Sequence, residues 1–272
     1  MSVRGIDVSY IQGAVDWRAV ARDGVRFAMV KASQGKLMGD ASVGPFADPR
    51  FLANAKAART AGLDVGVYHL FCAKNEAEAE REAAYMVQLA APIKSRINLW
   101  AAIDVEECAE QRGYLALDGA ELTRSVERFA AVIRAAGYRP MLYTNPNFIR
   151  YKYARVPELP LWLAYWGVPE PSALAYKPMI WQPSTGTVPG IGREVDVDVG
   201  YFTPASDPIR PGDRVRVKSP YIYGTLRRFA VYYDAYDVIS VSGDRVVIGI
   251  GHVVTAAVAA KNLEKCVTSK NF

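Results

Sequence analysis

Two hydrophobic periods alternate along the first three quarters of the chain. Short apolar, β-branched runs fall at 3–8, 25–31, 63–70, 98–105 and 139–144 and read as strands. Each is followed by a stretch with helical spacing, at 16–22, 49–61, 76–90, 118–136 and 146–153. Asp118, with Glu121 three residues on, reads as a helix N-cap and its returning acid. Gly62 and Gly137 stand where the second and fourth helices should stop. After the fifth helix, strand-like runs at 161–165, 179–182 and 194–197 are separated only by short loops. Alternation of strand and helix predicts a parallel sheet with helices outside. Eight strands over this length predict closure into a TIM-like (β/α)5(β)3 barrel, irregular in its last third.

A proline-rich linker follows at 203–211, and beyond it the strands shorten, to 213–217, 230–233, 238–241 and 245–250. Ser242-Gly243-Asp244 reads as a hairpin loop between the last two. The expected organisation is an α/β barrel over 1–203, a linker at 204–211 and a small all-β barrel over 212–272.

The length of 272 residues, with 51% hydrophobic and 22% charged residues, suits ordinary globular domains and excludes collagen and coiled coil. No stretch approaches the roughly 20 apolar residues of a membrane span. The N-terminus Met-Ser-Val-Arg-Gly-Ile-Asp lacks the apolar core of a classical signal peptide, so synthesis in the cytoplasm is expected. Cys72, Cys108 and Cys266 are odd in number and far apart, which argues against a disulfide framework. No CxxC or HExxH spacing is present; no metal and no cofactor are expected. The net charge of +5 is uneven: from Asp207 onward 10 basic and 6 acidic residues give +4. A basic tail favours an anionic partner such as a nucleic acid, a membrane surface or a wall polymer. Tyr221, Tyr223, Tyr232, Tyr233 and Tyr236 lie in the tail, but no RNP-like motif supports nucleic acid.

In a barrel of this kind catalytic groups sit at the C-terminal ends of strands. Those ends carry Asp7, His69, Asp104 with Glu106, Tyr143, Tyr165, Gln182 and Asp196. Asp104 and Glu106 are two apart, so they point the same way about 6.6 Å apart along the strand. Two acids ending an apolar strand repel and are partly desolvated, which raises one pKa as a general acid requires. Such a pair suits glycosidic bond cleavage, although a lone D-x-E also fits a solvated loop start. Asp7, inside an apolar strand, needs a partner or a cavity. Asp196 and Asp198 share a strand whose inward face the sequence does not identify. His69, one of two histidines, sits among Val67, Tyr68, Leu70 and Phe71, the setting of a core residue as much as of a ligand. Trp100, Trp162, Trp166 and Trp181, with Tyr68, Tyr143 and Tyr165, fall near strand ends, where aromatics stack on sugars or simply pack. No G-x-S-x-G elbow or phosphate loop appears, and neither His69 nor His252 has the context of a serine triad.

These motifs resemble the glycoside hydrolase family 25 lysozymes. The likeness runs through Gly5-Ile6-Asp7-Val8-Ser9, Asp16-Trp17, Val30-Lys31-Ala32, Val65-Gly66-Val67-Tyr68-His69 and Ile103-Asp104-Val105-Glu106. It continues through Leu142-Tyr143-Thr144-Asn145, Leu161-Trp162-Leu163-Ala164-Tyr165, Trp181-Gln182 and Val195-Asp196, covering about residues 1–203. The resemblance implies cleavage of the β-1,4 bond between N-acetylmuramic acid and N-acetylglucosamine in bacterial peptidoglycan. It implies Glu106 as general acid and then base, Asp104 as stabiliser of the N-acetyl group or nearby positive charge, and Asp7 and Asp196 as the rest of the acidic floor. Tyr68, His69, Tyr143, Tyr165, Trp181 and Gln182 are the substrate-binding candidates. Ser33-Gln34 stands where the family usually carries an acid, and Asp198 where it usually has asparagine. Chitinase-like barrels place a further aspartate at the position of Ala102, which counts against them. The tail resembles, more weakly, the Src-homology-3-like wall-binding domains of phage lysins. The combination implies an endolysin that reaches the wall after membrane permeabilisation and is a monomer by default. A catalytically dead wall-binding protein is the non-enzymatic alternative, and the intact acid set counts against it.

Overall fold

The computed structural model describes residues 2–35, 44–107, 117–203, 209–251 and 253–266. Cys108, His252 and residues 204–208 of the expected linker lie outside the described residues. The chain divides into two compact units, Met1–Ala205 and Ser206–Phe272.

In the first unit, β1 (Val3–Val8), β2 (Phe27–Gln34), β4 (Asp64–Leu70), β5 (Ala101–Asp104), β6 (Pro140–Thr144), β7 (Leu161–Ala164), β8 (Ile180–Gly186) and β9 (Val195–Gly200) pair in a ring. A two-residue strand, β3 (Phe46–Ala47), adds to β2. Neighbours from β1 through β2 to β8 are parallel, whereas β9 runs antiparallel to both β8 and β1. The expected parallel sheet is therefore broken at β9, in the last third of the ring where irregularity is expected. Its connection from β8 is too short to hold a crossover helix, so the chain can only turn back.

Five helices fall where the periodicity predicts them: α1 (Trp17–Arg22), α2 (Phe51–Thr60), α3 (Glu76–Ala90), α4 (Gly119–Ala135) and α5 (Pro146–Tyr151). Asp118 accepts the Glu121 amide at 2.7 Å, and Gly62 and Gly137 adopt φ of 90° and 81° just beyond the ends of α2 and α4. These are left-handed stops that glycine reaches without strain. A sixth helix, α6 (Glu170–Leu174), stands between β7 and β8 where only a loop was expected. Its five residues, opening with Glu170-Pro171, are too few to display a helical period.

Strand alternation divides the apolar residues into two layers. One set, including Ile6, Val8, Val30, Val65, Val67, Ile103 and Leu142, packs against the helices with Phe51, Met86, Val126, Phe129 and Ile133. The other fills the ring with Phe27, Met29, Tyr68, Trp100, Ala102, Met141, Tyr143, Trp162 and Ile180. Its lower end is closed by Phe27 and Trp100, both edge-on to Phe202 at 5.2 and 5.1 Å. Gly5 is required there, because a Cβ would overlap the Phe27 ring.

The second unit carries a separate five-stranded antiparallel sheet, in which the last-but-one strand lies at one edge and the last strand at the other. The strands are β10 (Arg214–Val217), β11 (Tyr236–Ser242), β12 (Arg245–Ile250), β13 (Val253–Ala259) and β14 (Leu263–Lys265). Ser242 pairs with Arg245 across the predicted hairpin, with Gly243 at φ 59°. The expected strand at 230–233 is absent. Tyr232 and Tyr233 are exposed, and their amides are taken up by the Tyr236 hydroxyl at 2.9 and 3.3 Å instead of by a ladder. β13 and β14 were not predicted; the small residues of Val253-Val254-Thr255-Ala256-Ala257 carry little alternation. Val215, Tyr236, Val238, Val246, Ile248, Val258 and Leu263 form the core of this unit.

Candidate active site

The acids converge at the end of the ring where the parallel strands finish. Asp7 is the penultimate residue of β1, Asp104 the last of β5, and Glu106 follows two residues later. Because β9 is antiparallel, its beginning lies at that same end, and Asp196 sits directly opposite Asp7 in register. Asp198, two residues further, shares the inward face and lies one layer deeper, opposite Gly5. Asp7 and Asp104 are buried, Asp198 is wholly buried, and Glu106 and Asp196 are half-buried.

Burial dominates the electrostatics. It pushes the Asp7 carboxyl well above the usual carboxylate range, reinforced by the charges of Asp198 and Asp196 and opposed by a hydrogen bond from Gln182. Asp104 is likewise held well up by burial and then by the charge of Glu106, with Lys31 opposing. Within the D-x-E pair the raised group is Asp104, the member beneath the general-acid candidate Glu106. Desolvation raises Asp196 as well, offset by a hydrogen bond with Asp7. Asp7 and Asp196 thus face one another in register as interacting carboxyls, and such pairs titrate together. Asp198 is raised well by burial although it accepts the Trp162 indole N–H at 2.8 Å. The Tyr68 and Tyr143 phenols are pushed up by burial and the surrounding carboxylates, so both remain proton donors at neutral pH.

One hydrogen-bond chain links the acids. The Gln182 Nε2 donates to Asp7 Oδ2 at 2.8 Å. Its Oε1 accepts the Tyr143 hydroxyl and the Trp166 indole N–H, both at 3.0 Å. The Tyr143 hydroxyl also lies 3.4 Å from Glu106 Oε2. Above this chain opens a groove of about 340 Å³, lined by Glu106, Tyr143, Asn145, Asn147, Tyr165 and Trp166 among others. Glu106 is thus the acid presented to the groove, with Asp104 below it.

Of the candidates read from the sequence, Asp7, Asp104, Glu106, Asp196, Tyr68, Tyr143 and Gln182 come together, and Tyr165 lines the groove wall. Two do not join them. His69 points outward into the helix layer, wholly buried, with Ser33 Oγ 2.8 Å from Nδ1 and Glu82 Oε2 3.0 Å from Nε2. Its ring packs 5.2 Å from Phe129 of α4. Trp181 also points outward, among Leu163 and Ala173, and donates its indole N–H to the Tyr165 carbonyl at 2.9 Å. Both have the parity opposite to their inward neighbours Tyr68 and Gln182, a signal the period-2 rule carries. Trp100 lies at the closed end of the ring, under the Arg139 guanidinium at 5.0 Å. The sequence reading quotes Asn145 only within a motif and not as a candidate, although it follows β6 directly, and it offers no signal for Asn147, which lies in the first turn of α5. It also passed over Asp48, whose carboxylate accepts the Tyr10 amide at 2.8 Å and whose charge reaches Tyr68. Asp48 follows a two-residue strand that shows no period.

A family model described as Glycosyl hydrolases family 25 matches residues 6–191. The chain belongs to that family. It is 30% identical over 197 residues to the autolytic lysozyme of Clostridium acetobutylicum, covering 72% of this chain and 55% of that protein. It is 29% identical over 203 residues to Lysozyme M1 of Streptomyces globisporus, covering 71% of this chain and 66% of that protein. The match thus spans between about half and two thirds of the length of these relatives. Among solved structures, the bacterial lysozyme of Streptomyces coelicolor superimposes with a TM-score of 0.55 at 25% identity, covering 75% of this chain and 94% of that one.

Proposed function

We propose that this protein is a muramidase that hydrolyses the β-1,4 bond between N-acetylmuramic acid and N-acetylglucosamine in bacterial peptidoglycan. The observation that carries the reading is the D-x-E pair at the mouth of the ring. Its buried member retains a proton above the ordinary carboxylate range, and its outer member opens onto an aromatic-walled groove. The lysozyme names of the two relatives point the same way.

The chemistry follows from the placement. Glu106 delivers a proton to the leaving oxygen and returns as base toward water. Asp104, directly beneath and held above its ordinary range by burial, offers negative charge to the oxocarbenium-like centre or the N-acetyl group once it ionises. The Asp7–Asp196 pair forms the floor, and Gln182 and Tyr143 orient it. Tyr165 and Trp166 present ring faces to sugars along the groove.

The reading extends to architecture and biology. The first unit is an irregular TIM-like (β/α)5(β)3 barrel carrying catalysis over 1–203. The second is a small Src-homology-3-like β domain over 212–272 that holds the enzyme on the wall, its +4 charge suited to an anionic polymer. Together they fit a phage or prophage endolysin made in the cytoplasm and released onto the wall.

The test is digestion of purified peptidoglycan followed by borohydride reduction. New reducing ends that are muramic acid support the reading. New reducing ends on glucosamine, or none, overturn it.

A further inference from the structure

In the second unit the loop 218–235, between β10 and β11, is ordered yet turns its aromatic rings outward. Its backbone is held from within. Tyr221 pairs with Arg228 in an antiparallel bridge. The Ile222 amide donates to the Arg227 carbonyl at 2.9 Å, and the Phe229 amide to the Pro220 carbonyl at 3.0 Å. The Tyr223 amide ties this hairpin to the Ala257 carbonyl of β13 at 2.7 Å. Phe229 packs against the core of the unit.

The tyrosines of the loop do not. Tyr221, Tyr223, Tyr232 and Tyr233 are 40%, 39%, 79% and 54% exposed. Among the described residues none of their hydroxyls has a hydrogen-bond partner. The phenols of Tyr143, Tyr176, Tyr201 and Tyr236, by contrast, all have one. Residues opposite one another in an antiparallel bridge share a side, and exposure alternates over 221–223, so Tyr221, Tyr223 and Arg228 belong to one surface. The Arg228 guanidinium lies 5.7 Å over the Tyr221 ring. The loop holds Lys218, Arg227 and Arg228 against Asp234, a net +2.

Flat rings match the C–H faces of sugars, and a guanidinium matches a carboxylate. A peptidoglycan strand offers both, sugar faces along its length and the carboxylates of its stem peptides beside them. A polyol phosphate chain offers charge without ring faces, and a nucleic acid is held by many more phosphate contacts than three cations supply. Resting on the wall-binding reading of the second unit, we propose that Tyr221, Tyr223 and Arg228 form a binding site for the glycan strand of peptidoglycan, so that attachment is only partly electrostatic.

The test uses the full chain and insoluble peptidoglycan freed of phosphate polymers with hydrofluoric acid. Tyr221→Ala with Tyr223→Ala should weaken co-sedimentation by roughly two- to tenfold per ring, at high salt as at low, because stacking is not screened. Arg228→Gln should weaken it mostly at low salt. Clearance of the insoluble wall falls with binding, while cutting of soluble fragments stays within about twofold of wild type, since they need no anchorage. If the tyrosine pair does not fold, Tyr221→Ala alone, at a ring outside the core of the unit, decides.

Tyrosine variants that sediment and clear walls as the wild type does overturn the inference and leave the wall-binding reading standing. So does a wild type held by untreated walls and not by stripped ones, one released from stripped walls by a single-stranded oligonucleotide, or a tyrosine variant that loses as much on soluble fragments as on walls. A folded wild type that stays in the supernatant with both kinds of wall overturns both.

Discussion

Glu106→Gln isolates the chemical role of the acid presented to the groove. The amide has nearly the same shape, and its carbonyl can stand where Glu106 Oε2 meets the Tyr143 hydroxyl at 3.4 Å. Glu106 is half-buried at the mouth, outside both apolar layers, so the exchange opens no cavity in either. The nearly isosteric exchange should leave the fold intact, which the melt checks. An amide cannot donate a proton to a leaving alkoxide. Removing general acid catalysis costs about 10²–10⁴ in rate, which is about 2.7–5.4 kcal/mol of transition-state stabilisation at 1.36 kcal/mol per decade. The charge of Glu106 also raises Asp104, so its neutralisation should let Asp104 ionise at lower pH. The assay is clearance of a peptidoglycan suspension and release of muramic acid ends, beside a thermal melt of the same sample. A melt matching the wild type with clearance within threefold of it would refute the assignment of Glu106 as the proton donor.

Asp198→Asn preserves the acceptor for the Trp162 indole while removing an acid held well above its ordinary range by burial. An acid raised in the folded state binds more protons there than in the unfolded chain, so it costs stability as pH rises above the usual carboxylate range of about 4. The variant should therefore gain stability over the wild type progressively from about pH 4 toward neutral; urea melts that show a constant or shrinking difference would contradict this. Glu82→Ala strips partners from the His69 ring and the Cys72 amide, both at 3.0 Å, and should cost roughly 2–5 kcal/mol by chemical denaturation. A loss below about 1 kcal/mol would mean that this buried joint contributes little. Truncation after Pro204 should leave a folded enzyme that cuts soluble fragments at the full-length rate but clears whole walls more slowly, with raised salt narrowing the gap. Equal wall clearance at low salt would remove the wall-binding role from the second unit.

The elements were legible wherever amphipathic period and end signals agreed. The strand at 3–8 and the helix at 76–90 have the predicted bounds, and Gly62 and Gly137 end their helices at positive φ as their positions imply. Legibility failed where an element is too short to show a period, as in α6 and β3, or too uniform, as in β13. The direction of β9 was hidden for another reason. A strand's own residues do not encode whether its neighbour is parallel; only the loop that joins them does, and the shortness of the stretch 187–194, which rules out a crossover helix, is a signal that the alternation of strands and helices leaves unused.

The site shows how the same rule can both find and misplace a residue. The strand-end rule gathers Asp7, Asp104 and Gln182, but it is blind to which face a side chain takes. Tyr68 and His69 are adjacent, end the same strand, and are both buried, yet one fills the ring and the other bridges β4 to α3. Parity resolves them once a single inward residue is known: Asp104 fixes Ala102, and its strand neighbours then place Tyr68 inward and His69 outward. The same counting puts Gln182 inward and Trp181 outward, and makes Asp196 and Asp198 face inward together. Two acids stacked on one inward face are costly to bury, which is why Asp198 needs the Trp162 indole and a raised pKa to be tolerated at the depth where it lies. The floor is therefore a consequence of register: one antiparallel strand delivers Asp196 to the mouth opposite Asp7 and takes Asp198 one layer down.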